Sequence, residues 1–349
     1  MNGVKRISLG LQGGGAYGAF GWGALDRLLA DERLEIDGIG AASAGAINAA
    51  ALADGYALGG GPAGARRKLR EFWTALGNSA MLGPMRPSPF DVFTGRGSIE
   101  SSPGYLLLQL ASAGLAPGVT NPLNINPLLT LLSSLIDFER VRACEELQLY
   151  IAGTNVRTGK GHNFRRHELT AQHIMASACV PQVFAPMHID GEAYWDGSFS
   201  GNPPLAPLVD EVAARDVLVI LNNPIARRDL PVTMADVHNR TNEIAFNTSL
   251  IREISAIQHM AAVVDEENGE HVHMGAVRLH TISATGVLRD MSISSKFNTD
   301  WSFIQELHAL GHAAADHWLQ DEFEGVGIAS TFDPAQVYAS ETLGQGMRT

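Results

Sequence analysis

The sequence predicts an α/β fold built on a mostly parallel sheet. Strand-like and helix-like segments alternate from the N-terminus with short joints, the pattern of parallel strands linked by crossover helices. Small-residue clusters rich in glycine sit at those joints rather than inside the elements. The composition is 45% hydrophobic and only 18% charged over 349 residues, against roughly 25% charged in an average soluble domain, so a sheet can be covered on both faces.

Residues 4–12 (VKRISLGLQ) read as a strand that runs into a glycine cluster, and 18–30 as a helix through Leu25, Leu28 and Leu29. Residues 36–42 form a second buried strand and 44–54 a helix of small residues. The segment 56–65 (YALGGGPAGA) reads as a glycine-rich loop, followed by a helix over 66–77 that carries Leu69, Phe72, Trp73 and Leu76. Prolines then break the chain repeatedly between 80 and 127, around the apolar runs YLLLQL and NINPLLTLLSSL. Two readings of this irregular stretch stand: short core helices, or a lid or lipid-facing surface. Regular structure returns with a strand at 147–155, a hairpin partner at 162–166 and a helix at 170–180 stopped by Pro181. Short strands at 186–189 and 192–195 flank the turn Asp190-Gly191. A buried strand at 216–221 leads to a long helix at 236–265 with Leu250, Ile254, Ile257, Ala261 and Val264 on one stripe. A strand at 277–282 and a helix at 302–319 complete the list of elements. With no repeat and no linker, residues 1–325 read as one domain with an irregular apolar insertion at about 80–136, and 326–349 as a loosely ordered tail.

Composition excludes several classes. A net charge of −12 gives no basic face for nucleic acid. Two cysteines, Cys144 and Cys179, make neither a disulfide scaffold nor a four-cysteine metal site and read as buried thiols. No run of about 18 apolar residues predicts a membrane-spanning helix, and the N-terminal apolar stretch is too short for a signal-peptide core. The expectation is a cytoplasmic protein, peripheral at most at a membrane surface.

Three joints carry chemistry. The first is Gly13-Gly14-Gly15-Ala16-Tyr17-Gly18, between a strand and a helix, where backbone N–H groups can turn toward negative charge. A dinucleotide site would also want an acidic residue at the end of the second strand; that strand ends in Ala41-Ala42-Ser43, and Asp37 lies at its start. The second joint is Gly40-Ala41-Ala42-Ser43-Ala44-Gly45, a serine among minimal side chains in a strand-to-helix turn. This suits a nucleophile elbow, with Ala41 where the first glycine of Gly-x-Ser-x-Gly belongs. It equally suits a helix N-cap. The third is Tyr194-Trp195-Asp196-Gly197-Ser198, an aspartate that is either a turn residue or a carboxylate at a strand end.

In this order, GGGAYG, AASAG and DGS resemble the signatures of the patatin-like phospholipases, a family of serine acyl hydrolases. The likeness runs from residue 5 to about 225 and includes the stretch MASACVPQVFAPM. Tyr17 stands where an arginine is frequent, and Ser198 where glycine or alanine is usual. The resemblance implies a three-layer α/β/α sandwich with a central, mostly parallel sheet. It implies Ser43 as nucleophile, Asp196 as general base, and Gly13, Gly14 and Gly15 as oxyanion donors, with Gly18, Ala41, Gly45, Gly197 and Ser198 as motif positions. It implies a lipid or other acyl ester as substrate; the loop amides fill the electrophilic role and the sequence has no carboxylate-rich loop, so no metal and no cofactor are expected.

Rival readings come from other residues. A Ser-Asp-His triad would draw on His238, His259, His271, His273 or His280, which follow Asp196 in the chain. His271 and His273 beside Glu270 have strand spacing for a metal. Arg157, Arg165 and Arg166 form a basic cluster that either meets a phosphate headgroup or is a solvated hairpin edge. A non-catalytic lipid-binding module, and acyl transfer by the same dyad, are the alternatives to hydrolysis. Oligomeric state is not legible.

Overall fold

The computed structural model describes residues 3–79, 85–95, 97–112, 121, 125–181, 183–226, 230–232, 234–266, 277–288 and 291–332. The strands are β1 (Lys5–Leu11), β2 (Leu34–Ala41), β3 (Gln148–Asn155), β4 (Gly161–Arg165), β5 (Met187–Ile189), β6 (Glu192–Asp196), β7 (Asp216–Leu221) and β8 (Arg278–Ser283). They form one mixed sheet in the order β5-β6-β3-β2-β1-β7-β8, with β4 also paired to β3. β3, β2, β1, β7 and β8 run parallel, whereas β4, β5 and β6 form the antiparallel edge. The helices are α1 (Gly18–Leu28), α2 (Ala44–Gly55), α3 (Gly61–Asn78), α4 (Pro89–Thr94), α5 (Pro103–Ser112), α6 (Pro127–Leu135), α7 (Phe138–Ala143), α8 (Ala171–Ser177), α9 (Ala206–Glu211), α10 (Met234–Glu266), α11 (Thr285–Leu288) and α12 (Trp301–Asp321).

Side-chain alternation divides the core between the two faces of the sheet. Ile7, Leu9 and Leu11 of β1 and Leu218 and Ile220 of β7 point into the larger cluster with α1, α2, α3 and α12. Val217, Val219 and Leu221 point the other way, toward Leu208 of α9 and Leu250, Ile254 and Ile257 of α10. This is why β7 is apolar at nearly every position: in a covered parallel sheet both faces are buried. The result is the expected three-layer α/β/α sandwich.

Several boundaries differ from the sequence reading for identifiable reasons. In place of a loop over 56–65, a π-type turn at Tyr56–Gly60 leads directly into α3. Pro62 occupies the first turn of that helix, where a missing N–H costs nothing. The glycines here serve contact, since a Cβ on Gly64 would lie 2.2 Å from the Gly55 carbonyl oxygen. α8 stops at Ser177, short of the expected residue 180, and the following turn presents the Cys179 carbonyl to the N–H of Asp196 at 2.9 Å. Asp190 and Gly191, at φ 49° and 82°, make the tight hairpin between β5 and β6. Of the segment 326–349, residues 326–332 are described; Phe332 is buried and its N–H bonds to the Leu279 carbonyl on β8. The insertion contributes α4, α5 and α6: Ile99, Tyr105 and Leu132 are buried, while Phe90, Val92, Phe93, Leu106 and Leu107 are exposed.

α1 is fixed against α12 by direct backbone approach. A Cβ on Gly311 would fall 1.9 Å from the Phe20 carbonyl oxygen, and one on Gly23 equally close to that of His308. Trp22 stacks between Trp73 and Trp301 over the same contact. We predict that Gly311→Val forces these helices apart and lowers unfolding stability by about 1–3 kcal/mol or more, the usual cost of overpacking. A urea midpoint equal to wild type would show that the interface has room to spare.

Candidate active site

The site lies at the C-terminal edge of the parallel strands, where β1 and β2 end side by side with Leu11 opposite Ala41. The chain leaves β2 through Ala42 and reverses at Ser43, whose backbone adopts φ 52°, ψ −123° before α2 begins. Positive φ is uncommon for any residue with a side chain, and its occurrence at a serine marks a constrained turn. The Ser43 side chain makes no capping hydrogen bond to α2, so the N-cap reading is discarded. The surrounding small residues are explained by contact. A Cβ on Gly45 would lie 2.1 Å from the Leu11 carbonyl oxygen. The Ser43 N–H donates to Ser177 Oγ at 2.9 Å, which ties the turn to the end of α8.

Asp196 reaches the same place from β6, where it pairs with Gly153 of β3. It is 1% exposed. Oδ1 accepts the Ser198 N–H at 2.8 Å, and the hydroxyls of Ser198 and Ser43 lie close enough to exert a lowering effect on its pKa. Burial is the dominant influence and pushes its pKa up to about 6, against the lowering effect of those donors. Among the described residues no cation pairs with it. Gly197 follows because its Cα presses on β3: a Cβ there would lie 2.1 Å from the Ala152 carbonyl oxygen.

The glycine loop covers the pair. A Cβ on Gly13 would stand 2.7 Å from the Ser43 Cβ and 2.8 Å from Ser198 Oγ, so this position accepts only glycine without displacement. One expectation needs correction. The Gly13 N–H is not a free donor, because it bonds to Asn202 Oδ1 at 2.8 Å. The N–H groups of Gly14, Gly15 and Ala44, in contrast, have no acceptor among the described residues. Gly14 and Gly15 take φ of 150° and 60°, which turns their N–H groups out of the preceding strand direction.

A set of buried amides, not singled out in the sequence, holds this loop. Asn223 donates its N–H to Gln12 Oε1 at 2.8 Å and its Nδ2 to the Gly13 carbonyl. Asn222 donates to the Gln12 carbonyl, and Gln12 donates to Asn247 of α10 at 2.8 Å. Asn202 donates in turn to the Phe246 carbonyl. Tyr17 is fully buried; its hydroxyl meets Ser295 Oγ at 2.7 Å and the Ser292 carbonyl, anchoring the loop's far end. Of this set, Asn202 alone lies near a motif, in the run Asn202-Pro203-Pro204 shortly after the aspartate.

The rival residues lie elsewhere. His280 is buried against Asp216 at 3.0 Å and Thr331, toward the opposite edge of the sheet from Ser43. His259 is exposed, the His238 side chain is not described, and Glu270, His271 and His273 fall outside the described residues. No group of metal-ligating side chains occurs among the described residues. Arg165 is paired bidentately with Glu211 and Arg166 bonds to the Arg142 carbonyl, while Arg157 approaches Glu192 at 3.9 Å in solvent. The basic cluster is a paired hairpin edge, with no converging headgroup site. Both cysteines are buried and free. Among the described residues no helix is long and apolar enough to cross a membrane.

A family model described as patatin-like phospholipase matches residues 9–209. No curated protein matches the chain. Among solved structures, VipD from Legionella pneumophila aligns at 13% identity with a TM-score of 0.41, over 90% of this chain and 67% of that one. The ExoU–SpcU complex from the type III secretion system of Pseudomonas aeruginosa aligns at 18% identity with a TM-score of 0.26, over 73% of this chain. This chain covers 52% of the latter's length.

Removing the Asn202 side chain strands the buried Gly13 N–H. We predict that Asn202→Ala costs about 1–3 kcal/mol of unfolding free energy, the penalty for an unpaired buried donor, while Asn202→Asp, which keeps the acceptor, recovers part of it. Equal urea midpoints for wild type and Asn202→Ala would show that water replaces the contact.

Proposed function

The chain belongs to the patatin-like phospholipase family, and from that membership and the surroundings of Ser43 we propose a lipid acyl hydrolase that works through a Ser43–Asp196 dyad. The observation that carries the reading is a serine hydroxyl unused by its helix in the neighbourhood of a fully buried carboxylate whose pKa is raised to about 6. Desolvation brings the carboxylate closer to serine in proton affinity, so a direct transfer serves where a solvated aspartate would be too weak.

The reaction then runs as follows. Asp196 takes the Ser43 proton as Oγ attacks the ester carbonyl carbon. The N–H groups of Gly14, Gly15 and Ala44 receive the oxyanion of the tetrahedral intermediate. Such donors typically contribute roughly a hundredfold or more in rate each. Collapse breaks the ester C–O bond, and the leaving alcohol takes the proton from Asp196. Water attacks the acyl-enzyme with Asp196 again as base, and release of the acid restores Ser43. Phe90, Phe93 and Leu107 on α4 and α5 are exposed and suit contact with a lipid surface during substrate entry. The segment that carries them bonds to the 292–298 turn, as Ile99 N–H to Ser294 Oγ at 3.0 Å, and that turn anchors Tyr17.

Two outcomes test the dyad. Incubation with a fluorophosphonate is expected to add one adduct to wild type and none to Ser43→Ala, by intact mass; labelling of both proteins would place the nucleophile elsewhere. Because Asp196 must be ionised to act as base, kcat/KM for a short soluble ester is expected to rise with pH through a limb near 6. A limb near 4 would mean that the base is an ordinary solvated carboxylate.

A further inference from the structure

In the proposed reaction the Gly14 N–H can receive the oxyanion only while its peptide faces the right way. That N–H and the Gly13 carbonyl belong to one planar trans peptide, so they point in opposite directions. Glycine stands on both sides of this peptide, and Gly14 sits at φ 150°. No Cβ therefore opposes a rotation of the whole plane. A side chain from another part of the chain opposes it instead. Asn223, just beyond the end of β7, is 1% exposed and donates from Nδ2 to the Gly13 carbonyl at 2.6 Å. Its amide lies against Gly14, where an added Cβ would meet Nδ2 at 3.2 Å and Oδ1 at 3.3 Å.

The neighbouring peptides are held by other groups. The Gln12–Gly13 peptide is gripped on both sides, its carbonyl by Asn222 and its N–H by Asn202. The Gly14 carbonyl accepts the Tyr17 N–H at 3.2 Å, a turn bond made by backbone alone, which fixes the Gly15 N–H by the same planarity. The Gly13–Gly14 peptide between them rests on the Asn223 amide. Asn223 Oδ1, in contrast, is buried without a hydrogen-bond partner among the described residues. An unpaired buried acceptor costs stability, so packing alone does not account for an amide here; its donor is the part in use. That donor also polarises the peptide and strengthens the N–H on its far side. The Asn223 backbone N–H bonds to Gln12 Oε1 at 2.8 Å, a contact that substitution of the side chain leaves available.

We propose that Asn223 is a positioning residue that locks the Gly13–Gly14 peptide and thereby keeps the Gly14 N–H in place as an oxyanion donor. The inference rests on the reading of Ser43 and the glycine loop given above. Asn223→Asp, close in shape but without the Nδ2 donor, and Asn223→Ala are compared with wild type in p-nitrophenyl butyrate hydrolysis. Rates are expressed per Ser43 that a fluorophosphonate labels to completion, so that misfolded protein is not counted. Two inhibitors of equal chain length separate binding of the oxyanion from binding of the chain. An alkyl trifluoromethyl ketone accepts Ser43 Oγ on its carbonyl carbon, passes the serine proton to Asp196 and leaves a hemiketal oxyanion; the alkyl methyl ketone stays a carbonyl. Loss of a whole oxyanion donor costs about a hundredfold or more, so a donor left free to turn is expected to lower kcat/KM about ten- to hundredfold. Affinity for the trifluoromethyl ketone is expected to fall by about the same factor, with that for the methyl ketone within about twofold of wild type. Either variant serves alone if the other fails to fold. Unchanged kcat/KM per labelled site, a loss that leaves trifluoromethyl ketone affinity intact, or equal weakening of both ketones overturns the inference while leaving the dyad standing. Absence of a Ser43 adduct on folded wild type overturns the dyad and this inference with it.

Discussion

The turn at Ser43 is the constraint on which the rest of the site depends. A non-glycine residue at φ 52°, ψ −123° sits in a sparsely populated region that costs of order 1–3 kcal/mol and persists only where the surroundings over-determine it. Here they do. β2 delivers the chain in register with β1, Ser177 holds the Ser43 N–H from α8, and Gly45 lets α2 start against the Leu11 carbonyl. A relaxed turn would let the hydroxyl swing back to cap α2, the more ordinary fate of a serine at that position. The strain is what denies it that option.

The second cost is electrostatic. The rise of Asp196 from 3.8 to about 6 corresponds to roughly 3 kcal/mol between its two protonation states. Its sign is unfavourable to the folded state at neutral pH. Folding holds the proton more tightly than the unfolded chain does, so this group favours the fold below about pH 4 and progressively less as pH rises toward 6. Stability must come from elsewhere, and the split core of the sandwich and the α1–α12 backbone contact are where the structure places it.

Much of this was legible in the sequence because it is local. Alternating elements, the glycine cluster after the first strand, a serine among alanines and glycines, and an Asp-Gly pair all act within a few residues of themselves. What escaped detection acts across the chain. Asn202 reaches Gly13, Asn223 reaches Gln12, and Ser177 reaches Ser43, pairs separated by 134 to 211 positions. An asparagine that pins a distant loop has the same spelling as one in a surface turn. The 56–65 segment misled for a related reason. Its glycines suggested flexibility, whereas Gly55 and Gly64 are small because their backbones touch. Ser43 itself was ambiguous from sequence, since cap and elbow demand the same residue; only the backbone angle and the absent capping bond separate them.

The engagement of the Gly13 N–H by Asn202 has a consequence for how the loop functions. A triple glycine is the most flexible tripeptide available, and left to itself it would lose entropy each time it ordered around a bound group. With Gly13 clamped on its N–H by Asn202 and on its carbonyl by Asn223, and Tyr17 locked by Ser295, the freedom of Gly14 and Gly15 is bounded at both ends. Their unpartnered N–H groups are therefore held open by the fold rather than by a ligand. In the proposed reaction, preorganised donors of this kind would act on developing charge without reorganising. The first glycine thus gives up its own donor so that the next two can keep theirs in place.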